Sequence, residues 1–121
     1  MSQNNFYITT PIHYPSGNPH MGHAYSSILA DVFARFKRLD EFNVFFLTGT
    51  DEHGLKIQNA AEKNNQKPKD FCDNISKIFK NLSKSLNLSN DDFIRTTEER
   101  HHKAVKFLWE RLESNGYIYL S

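Results

Sequence analysis

Two histidines that lie three residues apart are the first candidates for chemistry in this sequence. They are His20 and His23 of the stretch "NPHMGHAY", and Gly22 stands directly before the second one. At this spacing on a helix, the two side chains project from neighbouring positions of one face. The free backbone N–H groups and the positive dipole end of a first turn favour an anion, and a glycine lets a ligand approach the backbone closely. The stretch therefore predicts a phosphate cradle with two imidazole donors.

Two other interpretations of the histidine pair stay open on spacing alone. A catalytic zinc usually has three protein ligands, so the pair would need a third ligand from Asp51 or His53. The sequence contains no HExxH pattern, which would supply a paired base beside such a metal. The remaining interpretation is that both histidines make ordinary hydrogen bonds at a helix start.

Asp51 is the second candidate, in the polar stretch "GTDEHG" that follows the apolar run "NVFFL". A carboxylate that is fixed at the end of a strand is a suitable partner for a cationic group. The alternative is that this aspartate only shapes a turn, as aspartates often do.

The hydropathy pattern predicts the elements that position these residues. Aromatic and β-branched residues predict buried strands at 6–10 and 42–48, and prolines with a glycine predict a loop over 11–19. A helix is predicted from about 20 to 39, because large apolar residues recur there at three- and four-residue steps. These residues are Tyr25, Ile28, Leu29, Val32, Phe36 and Leu39.

The second half of the chain predicts three more helices. The first covers 55–63, the second begins at Pro68, and the third follows a short strand near "FIRTT". Thr96 with Glu99 fits a capping box before this last helix, and Asn115-Gly116 predicts its end. The closing residues "YIYLS" predict a further strand over 117–121.

This order of strands and helices predicts an α/β fold with a parallel sheet. In such sheets, ligands bind at the carboxyl ends of the strands, where the next helices begin. Both polar stretches stand at such strand ends, so we expect them to form one site.

The composition is typical of a single globular domain. The chain has 121 residues, of which 38% are hydrophobic, and a formal net charge of +1, which excludes a general attraction to nucleic acid. Its one cysteine, Cys72, excludes an internal disulfide and a cysteine-cluster zinc site, and we expect a partly buried thiol on a helix. The sequence has no signal peptide and no run long enough to cross a bilayer, so we expect a cytoplasmic protein without membrane contact.

Four stretches of the sequence, in their order and spacing, resemble the amino-terminal catalytic segment of the methionyl-tRNA synthetases. These form a family of class I aminoacyl-tRNA synthetases. The four stretches are "YITTPI", "HMGHAY", "ADVFARFKR" and "FLTGTDEHG", and "HMGH" is similar to the HIGH signature of that class. The stretches "RTTEERH" and "NGYIYLS" are also similar to the family. The resemblance implies the first half of a Rossmann-like nucleotide-binding fold, with parallel strands and flanking helices. It also implies that residues 1–121 are the amino-terminal part of the catalytic domain, truncated near the start of the connective insertion.

The resemblance assigns a role to each candidate residue. It implies that His20, Gly22 and His23 bind ATP, with the two histidines as catalytic groups that stabilise the reacting phosphorus. It implies that Asp51 binds the ammonium group of methionine and that Ile12 and Tyr14 line the methionine pocket.

The resemblance also implies the substrates and partners. They are methionine, ATP with Mg²⁺, and tRNA(Met) in a full-length protein, and the reaction is the activation of methionine followed by its transfer to tRNA. The family's KMSKS loop, zinc-knuckle region and anticodon-binding helices have no match here, so zinc is expected only outside this chain and the chain is expected to be inactive alone.

Some questions stay open at this level. His13 stands where the family usually has tyrosine, and neither its direction nor the role of His53 follows from the pattern. Two alternative functions also stay open: a smaller nucleotidyltransferase with an H-x-G-H tetrad, and a non-catalytic module that binds tRNA or a protein.

Overall fold

A three-stranded parallel sheet forms the centre of the computed structural model, which describes residues 4–120. The strands lie in the order β1-β2-β3, with Phe6 beside Val44 and Thr48 beside Phe93. The predicted α/β fold with parallel strands and flanking helices is therefore confirmed. The elements are β1 (Asn5–Thr9), α1 (Met21–Leu39), β2 (Asn43–Thr50), α2 (Leu55–Lys63), α3 (Pro68–Ser85), β3 (Asp92–Arg95) and α4 (Glu99–Ser114).

Helix α1 packs on the sheet through small side chains. Ala30 and Ala34 are buried against Phe46, with Ile8 and Val44 beside it. The predicted helix is confirmed, but its large apolar residues do not face the sheet. Tyr25, Ile28, Leu29, Val32, Phe36 and Leu39 are all exposed. Alanines let the helix axis approach the strands closely, and a pattern of large residues does not reveal this second face.

Helices α2 and α3 form a second small core. Ile57 and Ala61 of α2 pack against Phe71 and Cys72 of α3. Cys72 is buried, as expected for a structural thiol, and burial raises its pKa to about 11.

Gly49, near the carboxyl end of β2, lets β3 approach closely. A Cβ atom at this position would lie 2.0 Å from the carbonyl oxygen of Ile94, which no side chain tolerates.

Two sequence predictions about the end of the chain are wrong. Thr96 does not cap α4, because its hydroxyl accepts a hydrogen bond of 2.8 Å from the backbone N–H of Glu52, and Glu98 takes the cap position instead. Residues 117–120 form no strand, and Ser121 lies outside the described residues. An aromatic run forms a strand only beside a partner strand, and no strand in the described part of the chain pairs with it.

Helix α4 is attached mainly at its start. None of its residues is buried, and Phe107 and Trp109 are exposed. The guanidinium of Arg100 pairs with Asp92 of β3 and donates a hydrogen bond of 3.1 Å to the carbonyl of Phe93. No helix within residues 4–120 is long and apolar enough to cross a membrane.

A buried ion pair joins the ends of β2 and β3. The Glu52 carboxylate, which is fully buried, accepts hydrogen bonds of 2.7 and 2.9 Å from Arg95. Thr50 and Thr97 donate further hydrogen bonds of 2.7 and 2.6 Å to it. Arg95 also donates a hydrogen bond of 2.6 Å to Asp73 of α3, so the network reaches three elements.

We expect Arg95→Met to lower the free energy of unfolding by about 3–5 kcal/mol, because it leaves the Glu52 carboxylate buried without its counter-charge. Urea unfolding monitored by circular dichroism measures this change. The double variant Glu52→Gln/Arg95→Met should recover part of the loss, since it removes the buried charge.

The control for this prediction is Lys103→Met, because Lys103 forms only an exposed pair of 3.9 Å with Glu99 and should matter little. Equal stability of the Arg95→Met and Lys103→Met variants would contradict the prediction.

Candidate functional site

Two imidazoles cap the first turn of α1. His20 is the N-cap residue in an extended conformation, and its Nδ1 accepts a hydrogen bond of 3.1 Å from the backbone N–H of Gly22. In return, the Nδ1 of His23 accepts a hydrogen bond of 3.1 Å from the backbone N–H of His20. This is the reciprocal arrangement of a capping box, built here from two histidines. It explains why the helix begins at Met21.

The capping bonds determine where each ring carries its proton. A ring nitrogen that accepts an amide hydrogen has no proton of its own, so the hydrogen-bond network assigns the proton of each neutral ring to Nε2. Within the described residues, no hydrogen bond occupies the Nε2 of His20 or His23. Both rings therefore keep one N–H group that can donate to an anion.

Three backbone N–H groups at the start of α1 already have acceptors within the protein. The amide of Gly22 donates to the His20 ring, and those of His23 and Ala24 donate to the carbonyl of His20, at 3.0 and 3.2 Å. These three donors are already used, whereas the Nε2 groups of the two imidazoles are not. A Cβ on Gly22 would lie 2.9 Å from Cε1 of His20, so the glycine makes room for the capping ring.

His13 points inward, below the two capping rings. Its ring stacks on Phe79 of α3, with the centroids 5.3 Å apart, and meets the His23 ring edge-on at 5.1 Å. Phe79 also contacts His23 edge-on at 5.1 Å, and the rings of His20 and His23 lie 3.9 Å apart. His23, which is half-buried, therefore contacts three rings. This answers the question of the direction of His13, which the sequence left open.

Burial makes two of these imidazoles hard to protonate. Burial, together with smaller charge repulsion from His23 and His20, lowers the pKa of His13 to about 4. Burial also lowers the pKa of His23, followed by repulsion from His20. A neutral His23 is the form that its capping bond requires.

The segment around His13 extends β1 along the end of β2. The N–H of His13 donates to the carbonyl of Gly49, and the N–H of Asp51 donates to the carbonyl of His13, both at 2.9 Å. Side chains alternate along such an extended segment, so His13 is buried while Ile12 and Tyr14 are 40% and 44% exposed. Ile12 and Tyr14 are therefore accessible to a ligand beside Asp51.

Asp51 and Glu52 are neighbouring carboxylates in opposite situations. Asp51 makes one long hydrogen bond of 3.5 Å, from the N–H of His53, and no cation among residues 4–120 pairs with it. Burial would raise the pKa of Glu52, but the hydrogen bonds from Arg95, Thr97 and Thr50 outweigh burial and lower it. Asp51 is thus the carboxylate that remains free for a cationic ligand.

His53 makes a structural hydrogen bond. Its Nε2 lies 3.2 Å from the carbonyl oxygen of Thr96, which can only accept, so His53 donates from this atom. The ring also lines an open cavity beside Val105 and Trp109 of α4.

His13 connects two of the predicted site residues, His23 and Asp51. The ring of His13 contacts His23, and the backbone of His13 bonds to Asp51, so the helix start and the strand end share this residue. No hydrogen bond or ring contact in the described part of the chain links Tyr14 to the histidines. The sequence did not reveal that Phe79 of α3 contacts the rings of His13 and His23.

The described residues contain no group of three or more His, Cys, Asp or Glu side chains that could hold a metal ion. The nearest set, His13, His20 and His23, is engaged in ring packing and capping bonds instead.

A family model described as "tRNA synthetases class I (M)" matches residues 6–121. The mitochondrial methionine–tRNA ligase of Takifugu rubripes is 56% identical over 115 residues, which cover 95% of this chain and 20% of that protein. The methionine–tRNA ligase of Rickettsia conorii is 55% identical over 116 residues, which cover 96% of this chain and 23% of that protein.

One solved structure with a similar fold is a Mycobacterium tuberculosis methionyl-tRNA synthetase in complex with methionyl-adenylate. It superposes with a TM-score of 0.91 at 47% identity and covers 94% of this chain and 22% of its own. The chain thus spans about a fifth of the length of the proteins it matches.

We expect the stability of the protein to fall as the pH decreases from about 6.5 to about 4. The unfolded chain protonates His13 near its ordinary pKa of 6.5, whereas the folded protein does so only near 4. Between these values the unfolded state binds more protons, so the free energy of unfolding falls as the pH is lowered, by about 3 kcal/mol for this group. Urea unfolding at several pH values measures the slope.

His13→Phe should flatten this slope, because it removes the titrating group and keeps the aromatic packing. The matched control, His102→Gln on the exposed surface of α4, should leave the slope as in the wild type. If the His13→Phe and wild-type curves are parallel, burial of His13 is not the cause.

Proposed function

Because the chain belongs to the class I tRNA synthetase (M) family, we propose that it carries the ATP- and methionine-binding residues of a methionine–tRNA ligase. The activity belongs to a protein of the length of its relatives, of which this chain is about a fifth. Within that protein, residues 1–121 form the half of the catalytic domain that contains the HIGH-like motif.

The observation that carries this proposal is the imidazole capping box at the start of α1. It leaves His20 and His23 each with one Nε2–H donor at the positive end of a 19-residue helix. Such donors can form hydrogen bonds to the oxygens of a triphosphate. Negative charge builds up on these oxygens as the reaction proceeds. Because the capping bonds hold the rings in place beforehand, little reorganisation is needed when charge develops.

The reaction we propose is the formation of methionyl-adenylate. A carboxylate oxygen of methionine attacks the α-phosphorus of ATP, the bond to the bridging oxygen breaks, and pyrophosphate leaves. Phosphoryl chemistry of this kind depends on positioning and on charge stabilisation, so it needs no covalent enzyme intermediate. Mg²⁺ would accompany ATP on its phosphates as part of the substrate.

Asp51, Ile12 and Tyr14 form the methionine side of the site. The carboxylate of Asp51 has no cationic partner among the described residues, so it can accept the ammonium group of the amino acid. Ile12 and Tyr14 are half exposed beside it, and an aliphatic and an aromatic surface suit a thioether. Gly22 contributes by making room for the His20 ring.

The second step transfers the methionyl group to tRNA(Met). A hydroxyl of the terminal ribose attacks the carbonyl carbon of the adenylate, and AMP leaves. The similarity to methionine–tRNA ligases over 95% of this chain supports this function over a smaller nucleotidyltransferase or a binding module. A cytoplasmic location stays a proposal, since one of the similar proteins is mitochondrial.

Methionine-dependent ATP–pyrophosphate exchange by the full-length protein tests the proposal. We expect Asp51→Asn to raise the methionine KM by about 100-fold with little change in the ATP KM, because it removes a charge-assisted bond to the ammonium group. We expect His20→Ala to lower kcat by about 100-fold, because it removes a donor to the phosphates.

The matched control for Asp51→Asn is Asp70→Asn, an exposed carboxylate at the start of α3, which should leave both constants unchanged. A wild-type protein without methionine-dependent exchange, or an unchanged methionine KM in Asp51→Asn, would overturn the proposal.

A further inference from the structure

His13 stands in the sequence between two residues of the proposed methionine pocket, but its side chain lies on the other side of the segment. We propose that His13 is a positioning residue that holds the His23 ring, so that it acts on the ATP phosphates and not on methionine. This inference rests on the proposed function, because His23 is assigned to ATP there.

Ring contacts are the first argument. His13 and Phe79 stack with an interplanar angle of 19° and together form an aromatic wall. The His23 ring stands nearly perpendicular to both members of this wall, at 75° and 81°. Edge-to-face packing against two rings restricts rotation of the His23 ring about its long axis. The direction of the Nε2–H of His23 therefore depends on His13 and Phe79.

A hydrogen-bond relay is the second argument. The Ser27 hydroxyl donates a hydrogen bond of 2.9 Å to the carbonyl of His23, so its only proton is used. Its oxygen lies 3.3 Å from the Nε2 of His13, and this contact is a hydrogen bond only if His13 donates. His13 therefore carries its proton on Nε2 and supports the backbone of His23 through Ser27.

Electrostatics favour a neutral His13 in this role. The titratable groups whose charges act on it are His23 and His20, and the other side chains that contact it, Ser27 and Phe79, are uncharged. Burial and these neighbours lower its pKa to about 4, so near neutral pH it adds no positive charge below His23. His13 thus supports the ring without competing for the phosphates.

The backbone of His13 has a separate function, which the experiment must leave intact. Its N–H and carbonyl bond to Gly49 and Asp51 and so position the proposed methionine pocket. Side-chain substitutions keep these bonds, whereas they change the wall and the relay. If the His13 side chain positions His23, its substitution lowers kcat. If the side chain belongs to the methionine pocket, its substitution raises the methionine KM.

Three variants of the full-length protein test the ring contacts of His13 and its hydrogen bond to Ser27. His13→Phe keeps the stacking on Phe79 and removes the donor, His13→Gln keeps a donor and removes the ring, and Ser27→Ala removes the relay. We expect each to lower kcat of ATP–pyrophosphate exchange by about 5- to 30-fold, the size of a lost hydrogen bond or aromatic contact, and to leave the methionine KM within about two-fold.

The double variant His13→Phe/Ser27→Ala should lose no more than the larger single loss, because both changes break the same relay. Ile12→Ala is the contrasting variant, since we expect it to raise the methionine KM. In parallel, ¹⁵N NMR shifts of the His23 ring report its protonation at Nδ1 and Nε2 without any catalytic assay. They should change in all three relay variants and stay unchanged in Ile12→Ala.

Two outcomes would overturn the inference. In the first, the His13 variants raise the methionine KM as Ile12→Ala does, with unchanged His23 shifts, which would place His13 in the pocket. In the second, kcat and the His23 shifts both stay at the wild-type values. If the wild-type protein shows no exchange, the proposed function fails, and the NMR shifts still decide whether His13 positions His23. If a His13 variant does not fold, Ser27→Ala tests the same relay by both readouts.

Discussion

The buried contact between Glu52 and Arg95 determines the geometry around the strand ends. A carboxylate without solvent exposure needs every available donor, and here Arg95, Thr50 and Thr97 provide them. Arg95 belongs to β3 and also bonds to Asp73 of α3, so one side chain connects the end of the sheet with a helix. Because neighbouring residues in an extended segment face opposite ways, a buried Glu52 leaves Asp51 facing out. The partly buried carboxylate that we assign to methionine therefore depends on the fully buried one beside it.

A second constraint acts at the start of α1. Helices usually begin with a serine, threonine, aspartate or asparagine, whose short side chain caps the first amides. In this protein, two imidazoles do the same with their Nδ1 atoms. The local stability of the helix start and the direction of the ring protons are consequently set by the same two hydrogen bonds. A third ring, that of His13, joins this helix start to the strand end through its own backbone.

The sequence predicted the elements better than their contacts. The strands and helices followed from the spacing of apolar residues, from Pro68 and from Asn115-Gly116, because these signals are local. The packed face of α1 did not follow, since it consists of alanines such as Ala30 and Ala34, which a pattern of large residues overlooks. The capping role of Thr96 was predicted wrongly because its hydroxyl bonds to Glu52, which is 44 positions away. Phe79 and Ser27 around His13 depend on tertiary contacts in the same way.

The double use of each capping ring limits which residues evolution can place there. One ring nitrogen of His20 accepts a capping hydrogen bond at the helix start, and the other remains available to a ligand. The same holds for the two ring nitrogens of His23. Serine or aspartate could accept the amide hydrogen but would extend less far, while lysine or arginine could reach an anion but have no acceptor for the amide. Among the twenty side chains, an imidazole is the rigid group that combines an acceptor and a donor on opposite sides of one small ring. Under the proposed function, substitution at these two positions therefore affects the helix start and ligand binding at the same time.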